Sequence, residues 1–254
     1  MPRAAASACR HNGRVVTALD SIGFDGDDTL WQSETAFHVV HAQVRQLLAP
    51  HVDSATLDAR LLDVERANLA LYGYGAKAFT LSLVETAIDL AGDELAIAEV
   101  RALLELGKEL LAHPIELLPG ARAAVEAAAD AGLTVLLVTK GDLFHQESKV
   151  ARSGFGDLVD GVEVVAEKDA PTYERILRRH AVTPERFCMV GNSLRSDAEP
   201  VLGLGGWAVH VPHELTWALE HADDEGPIRT HDRFREVTSL AELPRLLADL
   251  GNER

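Results

Sequence analysis

Short apolar runs alternate with longer segments of helical spacing from Pro119 onward. The apolar runs are rich in Val, Ile and Leu and predict strands at 133–138, 162–165, 187–190 and 207–211. The segments between them predict helices near 120–131, 142–153, 171–180 and 194–204. Such alternation favours an α/β fold with a doubly wound parallel sheet that helices cover on both faces.

The part of the chain before Pro119 has a different pattern. Residues 22–24 form a short apolar run that predicts one buried strand. Residues 32–114 lack strand character, and their apolar positions recur at helical spacing, as in Phe37, Val40 and Val44. The sequence therefore predicts a helical segment inserted after the first strand.

Two carboxylates follow that first strand. Asp25 and Asp27 are two residues apart, so they can leave the strand on the same side and face one reacting centre. Like charges this close repel, and either a divalent cation or a bound proton relieves the repulsion. The pair therefore indicates metal chemistry or acid/base chemistry.

Polar residues also follow the later strands. Thr139, Lys140 and Gly141 end the second run, Lys168 follows the third, and Asn192 and Asp197 follow the fourth. In doubly wound sheets, ligands bind beyond the carboxyl ends of the strands, where the direction of winding reverses. We therefore expect these segments to meet the first pair of carboxylates at one site.

These four segments, in this order, resemble the motifs of the haloacid dehalogenase-like hydrolase superfamily over residues 20–212. The first motif of that family is Asp-x-Asp-Gly-Thr-Leu, and here Asp28 stands where Gly is usual. The fourth motif usually begins Gly-Asp-Ser, and here Asn192 replaces the first acid. Asp tolerates unusual backbone dihedrals better than most residues, so position 28 can keep the family conformation.

The resemblance implies a domain organisation. A Rossmann-like core comprises residues 18–31 and 115–254, and a helical cap subdomain comprises residues 32–114. The family arrangement places the first strand between the strands that carry Thr139 and Asn192. Residues 1–17 are expected to form a flexible N-terminus.

The resemblance also implies an activity: phosphomonoester hydrolysis through an aspartyl-phosphate. Asp25 would attack phosphorus. Asp27 would protonate the leaving oxygen and then activate water, which requires it to carry a proton part of the time. Thr139 and Lys168 complete the catalytic set, and Thr139, Lys140, Gly141 and Lys168 would bind the substrate.

The expected cofactor is Mg²⁺, held by oxygen ligands. The family pattern assigns the ion to Asp25, the backbone carbonyl of Asp27, and Asn192 or Asp197. Asn192 brings no negative charge, so Asp197 can supply more of the negative charge that balances the ion. The choice of direct ligand between these two stays open.

Alternative functions share parts of this pattern. A phosphomutase has the same four motifs but passes the phosphoryl group to a sugar phosphate. A non-catalytic phospho-acceptor or binding protein could use the same scaffold, although signalling receivers are about half this length and lack a helical insertion. Family members that displace halide from carbon do not retain the second acid, so Asp27 favours a phosphatase over a dehalogenase.

Charge and composition limit the classes of partner that the protein can bind. The 254-residue chain has a formal net charge of −16, which disfavours nucleic acids and anionic membranes. No stretch reaches the roughly 18 apolar residues of a membrane span, and the two cysteines indicate no disulfide framework. We expect a cytoplasmic protein acting on a small phosphorylated substrate; no pattern predicts an oligomeric state.

Other features have simpler interpretations. The acidic run 220–225 is expected to be a solvated loop, and Ser239 with Glu242 fits a capping box for a helix near 240–250. His38 and His41 are three apart on a predicted helix and are expected to be a solvated or packed pair.

Overall fold

A six-stranded parallel sheet forms the centre of the computed structural model, which describes residues 19–250. Its strand order is β3-β2-β1-β4-β5-β6. The strands are β1 (Ser21–Phe24), β2 (Thr134–Lys140), β3 (Gly161–Val165), β4 (Phe187–Gly191), β5 (Trp207–His210) and β6 (Phe234–Glu236). The predicted α/β class and parallel sheet are therefore confirmed, and the predicted flexible segment 1–17 lies outside the described residues.

The first strand lies between β2 and β4, as the resemblance implied. Phe24 pairs with Leu137 of β2 and with Val190 of β4, so the three strands end at neighbouring positions. Gly23 permits this packing, since a Cβ there would lie 2.8 Å from the Phe187 ring. The chain therefore brings the residues that follow β1, β2 and β4 to one edge of the sheet.

Helices cover both faces of the sheet. They are α5 (Ala121–Asp130), α6 (Leu143–Ser153), α7 (Ala170–Arg179), α8 (Glu199–Gly203), α9 (Gly226–Arg229) and α10 (Leu243–Leu250). Alternate residues of β2 face opposite sides: Leu137 packs in one cluster with α5 and α10, and Leu136 packs in another with α7. Two cores on opposite faces are what a doubly wound sheet requires.

Two elements differ from the sequence prediction. The helix predicted at 194–204 is a π-helical turn, Leu194–Ala198, followed by α8. Pro200 lies in the first turn of α8 and has no backbone N–H, so it cannot continue the preceding hydrogen-bond pattern. Strand β6 was not predicted, because three residues with the polar pair Arg235 and Glu236 give no recognisable alternation.

The segment between β1 and α5 is helical, as predicted. It contains α1 (Glu34–Leu48), α2 (Ser54–Tyr72), α3 (Ala76–Ala91) and α4 (Ile97–Ala112). These helices pack around their own hydrophobic cluster, which includes Leu57, Phe79 and Leu103. The chain leaves and re-enters the sheet region through two adjacent segments, which form an isolated β-bridge between Trp31 and Leu117, and the Gln32 N–H donates to the Glu116 carbonyl at 2.9 Å.

Within residues 19–250, no helix combines the length and apolar character that crossing a membrane requires. The capping prediction at the last helix is partly met: the Ser239 hydroxyl accepts the Ala241 N–H at 3.3 Å, while Glu242 accepts the N–H of Thr238.

Candidate active site

The carboxyl edge of the sheet opens into a cavity of about 190 Å³ between the sheet and the helices α1–α3. Asp25 and Asp27 follow β1, Thr139 lies in β2, and Lys168 follows β3, and all four line the cavity. Asn192 and Asp197 enter it from beyond β4. The structure thus brings together residues that the sequence separates by more than 100 positions, as expected for strand ends at a switch point.

Lys168 joins two buried carboxylates. Its Nζ donates to Asp25 Oδ1 at 2.5 Å and to Asp197 Oδ1 at 2.6 Å, and all three side chains are buried. Burial raises the pKa of Asp25 above its ordinary value, against the opposing effect of Lys168, and the charge of Asp197 raises it further. Burial alone would lower the pKa of Lys168, but Asp197 and Asp25 outweigh it and raise that pKa.

Thr29 links the first and fourth motifs. Its hydroxyl lies 3.0 Å from Asp25 Oδ2 and 3.3 Å from Asn192 Oδ1, and it accepts the Asn192 backbone N–H at 3.0 Å. The Thr29 hydroxyl therefore holds the side chain of Asn192 beside the carboxylate of Asp25. This contact was not anticipated from the sequence, although Thr29 belongs to the first motif.

The oxygen donors at this place suit a hard divalent cation. No group of three or more His, Cys, Asp or Glu side chains among residues 19–250 is arranged to hold a metal, so any such site must use amide or backbone oxygens. Among the described residues, only the Thr29 hydroxyl lies within hydrogen-bond distance of Asp25 Oδ2 and Asn192 Oδ1, whereas Asp197 accepts from Lys168 with one oxygen and from the Ser193 N–H, at 3.0 Å, with the other. One lysine balances two buried carboxylates here, so a cation would complete the charge balance.

Asp27 is surrounded by hydrogen-bond donors. Trp31 Nε1 lies 2.6 Å from its Oδ1, Gln146 Nε2 lies 2.9 Å from Oδ2, and Lys149 Nζ lies 2.7 Å from Oδ1 and 2.9 Å from Oδ2. Burial would raise the pKa of Asp27, but Lys149 and the other donors outweigh it and hold the pKa below its ordinary value. At rest this arrangement therefore favours the carboxylate form of Asp27 over the protonated form that the expected first step needs.

Gln146 and Lys149 were not identified from the sequence. They are three residues apart on α6, which places them on the same face, and that face turns toward the first motif. Polar residues three apart in the predicted helix after Thr139 are the signal that could have identified them.

Asp28 replaces the usual glycine and has a structural role. Its φ is 60°, in the left-handed region, as the comparison with the family motif led us to expect. Its Oδ1 accepts the backbone N–H groups of Ser33 at 2.8 Å and Glu34 at 3.1 Å. Asp28 therefore satisfies free donors at the start of α1 and ties that helix to the first motif.

Lys140 and Glu220 form an ion pair at the cavity wall. Lys140 Nζ also donates to Ser196 Oγ at 2.8 Å and lies 4.3 Å from the ring centre of Tyr74. Glu220 Oε2 accepts from the hydroxyls of Ser193 at 2.9 Å and Ser196 at 2.6 Å. The prediction that the run 220–225 is a solvated loop is therefore wrong for Glu220, which is bound into the site.

Gly141 does not contact the cavity. Its φ is 137°, and a Cβ there would lie 2.8 Å from Gln146 Nε2. The absence of a side chain lets Gln146 pack against the end of β2 and reach both the Lys140 carbonyl, at 2.8 Å, and Asp27.

The helical side of the cavity combines aromatic and acidic side chains. Phe37, Phe79 and Trp217 line it together with Glu34 and Glu65. Burial raises the pKa of each of these two carboxyls to about 7, and the charge of Asp28 adds to the effect at Glu34. None of these residues was identified as functional from the sequence.

In the histidine pair, His41 is packed and His38 is exposed, as expected. The His41 ring stacks on Phe79 with 5.1 Å between centres, and burial lowers its pKa to about 4, so it is neutral. His38 lies on the same side of the helix, with 6.5 Å between the centres of the two rings, but its side chain is exposed.

Comparisons with known proteins bear on the fold and the family. The sequence profile of a hydrolase family described as haloacid dehalogenase-like hydrolase matches residues 19–204. The crystal structure of a haloacid dehalogenase-like family hydrolase from Xanthomonas campestris is 42% identical, with a TM-score of 0.81 over 94% of this chain and 96% of that one. No protein with curated annotation matches the sequence.

More distant structures share the fold. A 2-haloacid dehalogenase from Pseudomonas syringae pv. Tomato DC3000 is 21% identical, with a TM-score of 0.59 over 91% of this chain and 99% of that one. A predicted phosphoglycolate phosphatase from Haemophilus somnus 129pt is 17% identical, with a TM-score of 0.59 over 91% and 98%. The fold is thus common to proteins described as dehalogenases and as phosphatases.

Proposed function

The chain belongs to the haloacid dehalogenase-like hydrolase family, and from this premise we propose that it is a Mg²⁺-dependent phosphatase acting on a small phosphomonoester through an Asp25 phosphate intermediate. One observation carries the choice within the family: Asp25 and Asp27 face the same cavity, and Lys168 and Thr139 line it beside them. Displacing an alkoxide requires a proton donor next to the nucleophile, whereas displacing a halide from carbon does not.

The charge of the cavity also favours a phosphatase over a 2-haloacid dehalogenase. The cavity-lining residues of α1, α2 and α3 include Glu34 and Glu65 but no Lys or Arg. A 2-haloacid carries a carboxylate beside its reacting carbon, and such a group would meet like charge on that side.

In the first step, an Asp25 oxygen forms a bond to phosphorus while the bond from phosphorus to the leaving oxygen breaks. Lys168 and the Thr139 hydroxyl stabilise and orient the phosphoryl oxygens. Asp27 gives a proton to the leaving oxygen. Its resting pKa is low, but the negative phosphoryl group next to it raises that pKa when substrate binds.

In the second step, Asp27 accepts a proton from water, and the water oxygen bonds to phosphorus. The bond between phosphorus and the Asp25 oxygen breaks, which releases phosphate and restores the carboxylate. Lys149 and Gln146 hold Asp27 as a carboxylate, which is the form this step needs.

Asp25, Asn192 and the backbone carbonyl of Asp27 would hold Mg²⁺, with Asp197 positioning Lys168. The free faces of Asp25 Oδ2 and Asn192 Oδ1 support Asn192 over Asp197 as the direct ligand. When bound, the ion supplies positive charge that stabilises the phosphoryl oxygens.

We assign residues 32–114 to a cap and residues 19–31 and 115–250 to the core. The separate hydrophobic cluster of α1–α4 supports this division. Because the cap roofs the cavity, its closure excludes water and macromolecules, which favours small substrates.

The test is Mg²⁺-dependent hydrolysis of p-nitrophenyl phosphate. Asp25→Asn is expected to abolish turnover and to leave the circular dichroism spectrum unchanged, whereas the exposed Asp130→Asn is a matched control that should retain full activity. Near-normal activity of Asp25→Asn would contradict the assignment. With a sugar phosphate in place of p-nitrophenyl phosphate, formation of an isomerised sugar phosphate instead of free phosphate would favour a phosphomutase.

A further inference from the structure

The cavity contains more carboxylates than lysines. The lysines are Lys140, Lys149 and Lys168, and the carboxylates are Asp25, Asp27, Asp28, Glu34, Glu65, Asp197 and Glu220. Each lysine already has a close acidic partner on the sheet side: Lys140 binds Glu220, Lys149 binds Asp27, and Lys168 binds Asp25 and Asp197. After this pairing Asp28, Glu34 and Glu65 have no lysine partner, and two of these three, Glu34 and Glu65, lie on the helical side.

Glu34 and Glu65 are the carboxylates on that side that lack a cation. The nearest basic group to Glu34 among the described residues is His38, at 3.9 Å and largely exposed. Glu65 forms no ion pair within residues 19–250, and its carboxylate interacts instead with the Trp217 side chain. Both carboxylates are half-buried without a Lys or Arg partner, which is costly, and a cationic ligand in the cavity would offset that cost.

The neighbouring side chains also suit a cation. The rings of Phe37 and Phe79 contact each other edge to face at 5.2 Å, and Tyr74 contacts Trp217 at 5.9 Å. Lys140 already lies over one face of Tyr74 and His41 over one face of Phe79, which leaves Phe37 and Trp217 as the rings without such a neighbour among the described residues. All four line the cavity. Aromatic faces attract organic cations, and carboxylates combined with aromatic rings are a recurrent way of binding ammonium groups.

One further polar group on the cavity wall lacks a donor. Gln146 is 2% exposed, and its Oε1 accepts no hydrogen bond from any described residue. A buried acceptor of this kind is unusual, and it meets an N–H donor of a ligand only if the Gln146 amide turns toward the cavity.

Resting on the phosphatase function above, we propose that the alcohol released by the enzyme carries a protonated amine, which Glu34 and Glu65 bind while the phosphate group lies at Asp25. The substrate is then zwitterionic, with its negative end at Lys168 and its positive end under the cap. The cavity of about 190 Å³ fits a small amino alcohol phosphate.

A matched series of substrates tests this inference. 2-Aminoethyl phosphate, 2-hydroxyethyl phosphate and 2-phosphoglycolate have the same length and place an ammonium, a hydroxyl and a carboxylate at the same position. At about pH 8 both glutamates carry charge. We expect kcat/KM for the ammonium ester to exceed that of the hydroxyl ester at least tenfold, which corresponds to about 1.4 kcal/mol, with the carboxylate ester lowest. Equal values, or preference for 2-phosphoglycolate, would overturn the inference.

Variants connect the preference to the residues. Glu34→Gln and Glu65→Gln should each lower the ratio of kcat/KM between the ammonium and hydroxyl esters at least fivefold, mainly through KM for the ammonium ester. Glu105→Gln removes an equal charge from an exposed position on α4 and should leave the ratio unchanged. A ratio unchanged in both cavity variants would contradict the assignment. Thermal unfolding confirms that each variant folds.

The outcome separates this inference from the proposed function. If the enzyme hydrolyses p-nitrophenyl phosphate with Mg²⁺ but shows no preference for the ammonium ester, only the inference fails. If it hydrolyses no phosphomonoester at all, the proposed function fails, and the inference fails with it.

Discussion

Replacing Lys168 by Met removes the cation that, within residues 19–250, contacts both Asp25 and Asp197. Lys168 is 4% exposed, and its ammonium lies 2.5 Å and 2.6 Å from the two carboxylates. Met keeps most of the side-chain length and apolar volume, so the change removes charge with little change in packing. We expect this substitution to destabilise the fold strongly.

The magnitude follows from the geometry. The two carboxylate oxygens that contact Lys168 lie within about 5 Å of each other, and their repulsion at an effective dielectric constant of ~20 is about 3 kcal/mol. Breaking a buried ion pair from one side typically costs about 3–5 kcal/mol. We therefore predict a loss of about 3 kcal/mol in the free energy of unfolding at pH 8.

The pH dependence has a definite sign. Without Lys168, burial and mutual repulsion raise the pKa of Asp25 further above its value in the unfolded chain. The folded variant then holds a proton that the unfolded chain has lost, so its stability falls as the pH rises from about 4 through the raised pKa. Lowering the pH to about 5 should restore part of the lost stability.

Urea unfolding at pH 8 and pH 5 measures this directly. The exposed Lys108→Met is the matched control, and its loss should stay below about 0.5 kcal/mol because its pair with Glu105 is exposed. A loss under about 1 kcal/mol for Lys168→Met at pH 8, or a loss independent of pH, would refute the reasoning.

Two further predictions concern packing and charge at the site. Gly191→Ala should destabilise the protein by about 2 kcal/mol or more in urea unfolding and lower its activity, because the new Cβ would lie 2.1 Å from Asp197 Oδ2. Gly203→Ala is the control: its Cβ would meet nothing within 4 Å, so this variant should be as stable as the wild type or more stable. Glu34 and Glu65 have folded pKa values near 7, above the 4.5 of an ordinary Glu, so each lowers stability as the pH rises from about 4.5 to 7. Each Gln variant should therefore be about 2 kcal/mol more stable than the wild type at pH 8 and flatter with pH; equal stability there would contradict the assigned burial.

The convergence of Asp25, Thr139, Lys168 and Asn192 could be predicted because it depends on strand order alone. Once the alternation of strands and helices indicates a doubly wound sheet, every residue just past a strand lies at one edge. The apolar runs that form buried strands are the strongest signal in a sequence, so this part of the site was accessible without coordinates.

The side chains around this centre depend on packing that periodicity does not determine. The pattern at 142–153 predicts a helix, but it does not show that the face with Lys149 reaches Asp27. Glu220 ends a single 3₁₀ turn, Ala218–Glu220, which is too short to give a period in the sequence, and its partner Lys140 is 80 residues away in the chain. Its acidic neighbours suggested solvent exposure, although tertiary contacts leave its side chain only 16% exposed.

The central claim is that Asp25 becomes phosphorylated, and acid quenching tests it directly. The Asp27→Asn variant with Mg²⁺ and p-nitrophenyl phosphate should accumulate the intermediate, because nitrophenolate leaves without a proton donor while activation of water is impaired. We predict a burst of nitrophenol equal to the enzyme concentration and one added phosphoryl group on the peptide that contains Asp25. A burst without phosphate on that peptide, or phosphate on a different residue, would contradict the account.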